Sequence, residues 1–394
     1  MNQRMYQLGS KRSVIREIFE FGKQRAAQVG AENVFDFSLG NPSVQPPQIV
    51  EDTLVSLLKE EDATALHGYT SAQGDAGVRA AIARYIRETH GVKCEADWLY
   101  MTCGAAASLT ITLSALCNAG DEVITFAPYF TEYKVFAETA GAKLVALASD
   151  PDTFQIDFSL LEGAINEKTA AVLINSPNNP SGVVYNEQTI VRLAKLLEER
   201  SAQYGKPIYL ITDEPYRELV YGGVKVPYLT KYYKNTFVCY SYSKSLSLPG
   251  ERIGYIFVNP DAENARDLYL AVCGAGRALG YVCAPSLFQK MVARCQGVTS
   301  DVSVYERNRD RLTGALRSFG FHCVQPDGAF YLFVRSPETD ANAFCERAKK
   351  YDLLLVPGDD FGCEGYVRIA YCVSPERIER SLPSFEKLAR EYGL

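Results

Sequence analysis

Long apolar runs are missing from this chain, and no stretch approaches the roughly 18 residues that a membrane-spanning helix needs. The N-terminus, MNQRMYQLGSKRSVIREIF, lacks the apolar core of a secretory leader. Histidine is scarce, and His67, His90 and His322 stand too far apart in sequence to suggest a metal cluster. Repeats, low-complexity tracts and blocks of like charge are absent. The formal net charge is only −6, which makes no electrostatic case for nucleic acid or an anionic membrane surface. Cysteine is plentiful but unordered. The eleven cysteines are odd in number and scattered, and none forms a CxxC pair. That pattern suits reduced thiols buried as small apolar groups in a cytoplasmic protein, and it argues against a disulfide frame or a zinc site.

What is present is enough for a large core: 394 residues, 47% hydrophobic and 22% charged, imply a globular chain of two or three structural units. From about residue 74 the pattern alternates. GDAGVRAAIARYIRETHG has helical periodicity and stops at Gly91, and GAAASLTITLSALCNAG reads as a buried helix opening at Gly104. DEVITFAP reads as a strand. TAAVLINSP, PIYLITDEP, TFVCYSYS and RIGYIFVNP are short apolar runs stopped by turn residues, the pattern of parallel strands buried on both faces. Alternation of this kind predicts an α/β architecture. After about residue 285 runs of strands and helices suggest a smaller α+β unit. The expected division is a large α/β domain over 48–285 and a small α+β domain made of 1–47 and 286–394. CGAGRALG, at 273–280, imitates a dinucleotide fingerprint. It follows a charged helical stretch with no βαβ acid after it, so it reads as a helix packed close to its neighbours.

In open α/β sheets ligands sit beyond the carboxyl ends of strands, so polar residues there carry the chemistry. PIYLITDEP ends in Asp213, and an aspartate ending a buried strand is costly unless it meets a cation or strong donor. VLINSPNNPSG ends in amides and prolines. SYSKSLSLPGERIGY sets Lys244 among serines and apolar residues, with Arg252 eight positions on. The turn TCGAAAS opens a helix whose backbone N–H groups make an anion site. Taken alone, each feature has an ordinary structural reading: a surface lysine, a helix cap, a tight loop. An acid, hydroxyls, amides, a lysine, an arginine and a helix N-terminus together meet the needs of one cofactor, pyridoxal 5'-phosphate.

These motifs, in this order, resemble the fold-type I, class I/II aminotransferases, the aspartate aminotransferase superfamily, from FSLGNP at 37–42 to YVRIAYC at 366–372. The resemblance implies a PLP-dependent transaminase that works by a ping-pong mechanism through a Schiff base on Lys244. It implies that Asp213 holds the pyridine nitrogen protonated, and that Tyr216 and Asn179 donate to the ring's phenolic oxygen. By the same resemblance Arg252, Ser241, Ser243 and the backbone at Gly104, Ala105 and Ala106 hold the phosphate. Tyr129 matches the aromatic that stacks on the ring. Tyr69 matches a tyrosine that reaches the phosphate of the neighbouring subunit, which implies a homodimer with sites at the interface. Arg368 matches the arginine that pairs with the substrate α-carboxylate, helped by Gly40 and Asn179.

Two departures stand out. Some aspartate-using relatives place a lysine where this chain has Ala106, so the resemblance does not extend to specificity for acidic side chains. The phosphate turn also lacks hydroxyls at its first positions, apart from Ser108 further along. A β-eliminating C–S lyase on the same scaffold is the alternative activity. A cofactor-retaining transcriptional regulator would need a DNA-binding module ahead of FSLGNP, and the 36 residues there are too few for one.

Overall fold

The computed structural model describes residues 1–10 and 14–394. The short apolar runs form one seven-stranded sheet: β1 Leu99–Thr102, β2 Glu122–Ala127, β3 Lys143–Ala148, β4 Thr169–Asn175, β5 Tyr209–Asp213, β6 Thr236–Ser241 and β7 Gly254–Val258. Their spatial order is β1-β7-β6-β5-β4-β2-β3. The pairings from β3 to β6 are parallel, and β4, β5 and β6 are buried along nearly their whole length, as strands covered on both faces must be. The expectation of a parallel strand at RIGYIFVNP is corrected: β7 runs antiparallel to both β6 and β1. Its connection is the reason. The chain after β6 makes only the four-residue helix Tyr242–Ser245, and Tyr242 N–H donates to Ile253 O at 3.2 Å. The segment therefore folds back beside β6 instead of crossing a face on a long helix.

Helices cover the sheet where the periodicity places them. Ala76–His90 starts at Asp75, whose carboxylate accepts from Val78 N–H, and stops at Gly91 in the left-handed region, at φ 63°. Ala105–Leu116 is apolar on most sides and is buried between the sheet and helix Ala265–Ala278. That second helix contains the imitation fingerprint. A β-carbon at Gly276 would fall 2.2 Å from the Tyr100 hydroxyl, so the glycine is a close-packing contact.

A second sheet of three antiparallel strands, β8 Tyr331–Arg335, β9 Val356–Pro357 and β10 Tyr366–Ala370, has the order β9-β10-β8. Helices Val302–Ser318 and Pro375–Glu391 bury Leu312, Leu316, Phe385 and Leu388 in its core. Each such side chain contributes about 1.5–3 kcal/mol on leaving water. The N-terminal segment joins this layer: Phe35–Asp36 pairs in parallel with Leu353–Leu354, and Ala370 N–H donates to Phe37 O. That bond sets Ser38, Leu39 and Gly40 beside the strand that carries Arg368. Helix Ser286–Arg294 packs elsewhere, with Met291 and Val292 in one apolar cluster with Val50, Ile82 and Leu99.

Candidate active site

The carboxyl ends of β4, β5 and β6 open on a cavity of about 320 Å³, closed on its other side by Leu39, Gly40, Tyr331 and Arg368. Four acidic or basic side chains line it: Asp213, Lys244, Arg252 and Arg368. Among the described residues none of the four is in an ion pair.

Lys244 sits in the helical turn after β6, where Ser241 caps the turn by accepting from Ser243 N–H. Its Nζ donates to Gly40 O at 2.6 Å. Its ammonium is pulled down to about 8, chiefly by burial; Cys372 opposes this, and Arg252 and Arg368 add to it.

Asp213 ends β5 fully buried. Its Oδ2 accepts from the Tyr133 hydroxyl at 2.6 Å, and its Oδ1 has no hydrogen-bond partner among the described residues. Burial pushes the carboxyl up to about 7, with the Tyr133 bond pulling down and Glu214 pushing up. Asn175, the last residue of β4, donates from its amide to Asp213 O at 2.8 Å and accepts from Asn179 N–H at 2.7 Å, which locks two strand ends together.

Arg252 lies across the mouth of helix Ala105–Leu116. Its Nη1 donates to Pro249 O and to the Ser243 hydroxyl, and its own backbone is left-handed at φ 52°, a costly conformation for a non-glycine residue. A β-carbon at Gly104, where φ is 84°, would fall 2.7 Å from Arg252 Nη2. Glycine is thus what allows the guanidinium to face the helix start. Ala105, Ala106, Ser241 and Ser243 line the same end. Ser108 does not. Its hydroxyl is buried among Thr102, Gly104 O and Tyr255 O, so the contact expected of it is corrected.

Arg368, 3% exposed, donates from Nη2 to Ser38 O at 2.6 Å and from Nη1 to Asn179 Oδ1 at 3.2 Å, while its Nε has no partner among the described residues. Its guanidinium lies 4.8 Å over the Tyr331 ring and 4.9 Å over Phe361. Among the described residues no structural carboxylate pairs with it. Burial lowers its pKa, the mark of a charge held without an anion.

Tyr216 lines the cavity with its hydroxyl 3.1 Å from that of Tyr331. Tyr129 does not line it. The Tyr129 ring faces Gly362, and the neighbouring Phe130 stands on the cavity wall instead, which corrects the placement expected of Tyr129. Tyr69 is 97% exposed and lies outside the cavity of its own chain. Sequence reasoning missed Phe130, Tyr133, Asn175 and Tyr331. Only Phe130 and Asn175 carried a signal, since Phe130 directly follows Tyr129 and Asn175 lies inside VLINSPNNPSG.

Behind the cavity wall runs a second polar cluster. Glu214 and Arg217 form a buried ion pair, Thr212 donates its hydroxyl to Glu214 Oε1, and Arg217 donates on to Val226 O and Pro227 O. Glu218 accepts from the Tyr240 hydroxyl at 2.9 Å, which in turn lies 3.1 Å from the hydroxyl of Ser245, the residue after Lys244.

The site is therefore a pocket with an anion cradle at one end, an orphaned carboxylate oxygen in the middle and an unpaired arginine at the other end. Pyridoxal phosphate has a matching phosphate, ring nitrogen and amine-reactive aldehyde, and the residues present fit it. The profile of the family described as aminotransferase class I and II matches residues 32–385. An aspartate aminotransferase of Thermotoga maritima is 29% identical over 92% of this chain and 93% of its own length. Aromatic-amino-acid aminotransferase 2 of Thermococcus litoralis is 27% identical over 97% of each chain. A crystal structure of an amino transferase from Eubacterium rectale is 61% identical and superposes with a TM-score of 0.98, covering 100% of this chain and 99% of the other.

Proposed function

We propose a division of labour for the site on the premise that the chain belongs to the class I and II aminotransferases, and so moves amino groups between amino acids and 2-oxo acids with pyridoxal phosphate. Lys244 would hold the cofactor covalently through Nζ. Arg252, the N–H groups of Ala105 and Ala106 after Gly104, and the hydroxyls of Ser241 and Ser243 would hold its phosphate. Asp213, steadied by Tyr133 and Asn175, would face the ring nitrogen and keep it protonated. Tyr216 and Asn179 would donate to the phenolic oxygen. Phe130 would lie against the ring in the place first given to Tyr129. When bound, the group supplies an aldehyde that condenses with amines and a ring that takes up the electron pair left at Cα.

The protein's own part is to bind, orient and move one proton. Arg368 grips the substrate α-carboxylate, held in direction by Asn179, Ser38 O and the two aromatic rings beneath it. Lys244, once displaced by the incoming amine, accepts the α-proton at Nζ. With its pKa near 8 it can be neutral in an appreciable fraction at physiological pH. Gly40 O sets the direction of that Nζ.

Tyr69, exposed on its own chain, would reach the cofactor phosphate of a second copy, and a homodimer with sites at the interface follows from that reading. Placement in the cytoplasm rests on eleven free cysteines. Among the described residues no helix is long and apolar enough to cross a membrane. The two sheets support the two-unit division, 48–285 against 1–47 with 286–394, although helix Ser286–Arg294 packs on the larger unit.

The observation that carries this reading is the set of four acidic or basic side chains, Asp213, Lys244, Arg252 and Arg368, around one cavity with no ion pair among the described residues. Borohydride reduction of the coloured protein, followed by peptide mass mapping, should place the cofactor adduct on Lys244. Lys244→Ala should lose transamination by at least about a thousandfold. An unlabelled Lys244 peptide from coloured, reduced protein would overturn the assignment.

A further inference from the structure

Gly40 and Tyr331 close the substrate end of the cavity together. A β-carbon at position 40 would fall 1.8 Å from the Tyr331 hydroxyl, so the absence of a side chain there makes room for that phenol. The same hydroxyl lies 3.1 Å from the Tyr216 hydroxyl, with the rings edge-on at 83° and both residues buried. A phenol has one proton to give. If Tyr216 gave its proton to Tyr331, none would be left for an oxygen in the cavity. The direction of this bond therefore decides what Tyr216 can do.

The position of Arg368 sets the direction. Its cation lies 4.8 Å over the Tyr331 ring and draws electron density from it, which makes Tyr331 the more acidic phenol and the stronger donor. Burial raises both hydroxyls above their ordinary value, and Arg368 pulls on both. The more acidic phenol donates to the less acidic one. We propose that Tyr331 is a positioning residue that donates to the Tyr216 hydroxyl and thereby turns the single Tyr216 proton into the cavity, toward the phenolic oxygen of the bound cofactor. The inference rests on the reading of Tyr216 given above.

The test is a cycle of Tyr216→Phe, Tyr331→Phe and the double variant, read as the pH midpoint of the bound cofactor's near-visible absorbance. Loss of a donor to the phenolic oxygen destabilises its deprotonated form and raises the midpoint. Tyr216→Phe should raise it by about one to two pH units, and Tyr331→Phe by about half a unit to one unit. The double variant should go no further than Tyr216→Phe alone, because Tyr331 acts only through Tyr216. KM for the amino acid should hold in Tyr331→Phe, since the ring beneath Arg368 is kept. An unmoved midpoint in Tyr216→Phe would overturn the reading of Tyr216 itself. A shift in Tyr216→Phe with none in Tyr331→Phe, or additive shifts in the double variant, would overturn the Tyr331 proposal alone. So would a raised KM with an unmoved midpoint, which would assign Tyr331 to Arg368 instead.

Discussion

Asp213 and Glu214 are neighbours in the chain and both are buried, yet they keep opposite company. Glu214 faces the back of the wall, where Arg217 and the Thr212 hydroxyl satisfy its two oxygens, and Arg217 spends its remaining donors on two carbonyls and lies over the Tyr228 ring. Asp213 faces the cavity with one oxygen bonded to Tyr133 and the other without a partner. Lys244 and Arg368 share that side and are likewise free of ion pairs among the described residues. A buried charge is tolerated when a partner offsets its desolvation. For Glu214 and Arg217 the protein supplies the partner, so that pair is structural, while Glu218 keeps one buried oxygen without a partner among the described residues. In front of the wall the partners must come from a ligand.

The comparison can be broken at its back half first. Arg217→Met should leave Glu214 buried without a cation and lower the unfolding free energy by about 3–5 kcal/mol, measured by urea denaturation. Glu214→Gln combined with Arg217→Met should recover much of that loss. A cost below about 1 kcal/mol for Arg217→Met would mean that the back cluster is no firmer than an exposed pair.

The front half should respond the other way. Arg368→Leu removes a charge that has no anion to pair with, so the apo-protein should unfold at the same urea concentration or a higher one. The effect should appear in substrate binding instead, with KM for the amino acid raised about a hundredfold. If Arg368→Leu destabilised the fold as severely as Arg217→Met, the distinction between the two faces would collapse.

Much of this is legible in the sequence. The stop at Gly91, the helix opening at Gly104 and the strand end at Asp213 are local events, dictated by residues a few positions apart. The direction of β7 was not legible, because RIGYIFVNP is as apolar as its parallel neighbours and only the short return from β6 reverses it. Tyr133 and Tyr331 were hidden for a related reason. Each is one of 25 tyrosines, and each meets its partner across a long stretch of chain, Tyr133 at Asp213 and Tyr331 at Tyr216. Phe130 was missed by a single position, since APYF does not say which of its two rings turns inward. Ser108 misled in the opposite sense: a hydroxyl near an anion site can be consumed by its own helix and strand.

The smallest effect, and the most local test of the front face, lies at the Tyr133–Asp213 bond. Tyr133→Phe removes the one side-chain donor to this carboxyl among the described residues, and cofactor affinity should fall about tenfold. The apo-protein should report the same bond through its pH dependence. Folded Asp213 holds its proton up to about 7, against 3.8 as the ordinary value. Between those two limits the folded state carries the extra proton, so the stability from this group is intact below about 4 and is lost as pH rises through 7. The Tyr133 bond holds the folded pKa down. Its removal should carry the upper end of the window to higher pH, so the variant goes on losing stability where the parent has levelled off. Glu218, which burial also raises to about 7, adds a parallel slope to both proteins and cancels in the difference. Thermal midpoints of apo-parent and apo-variant between about pH 4.5 and 8.5 would show this, and two superimposable profiles would mean that Tyr133 does not hold Asp213 in solution.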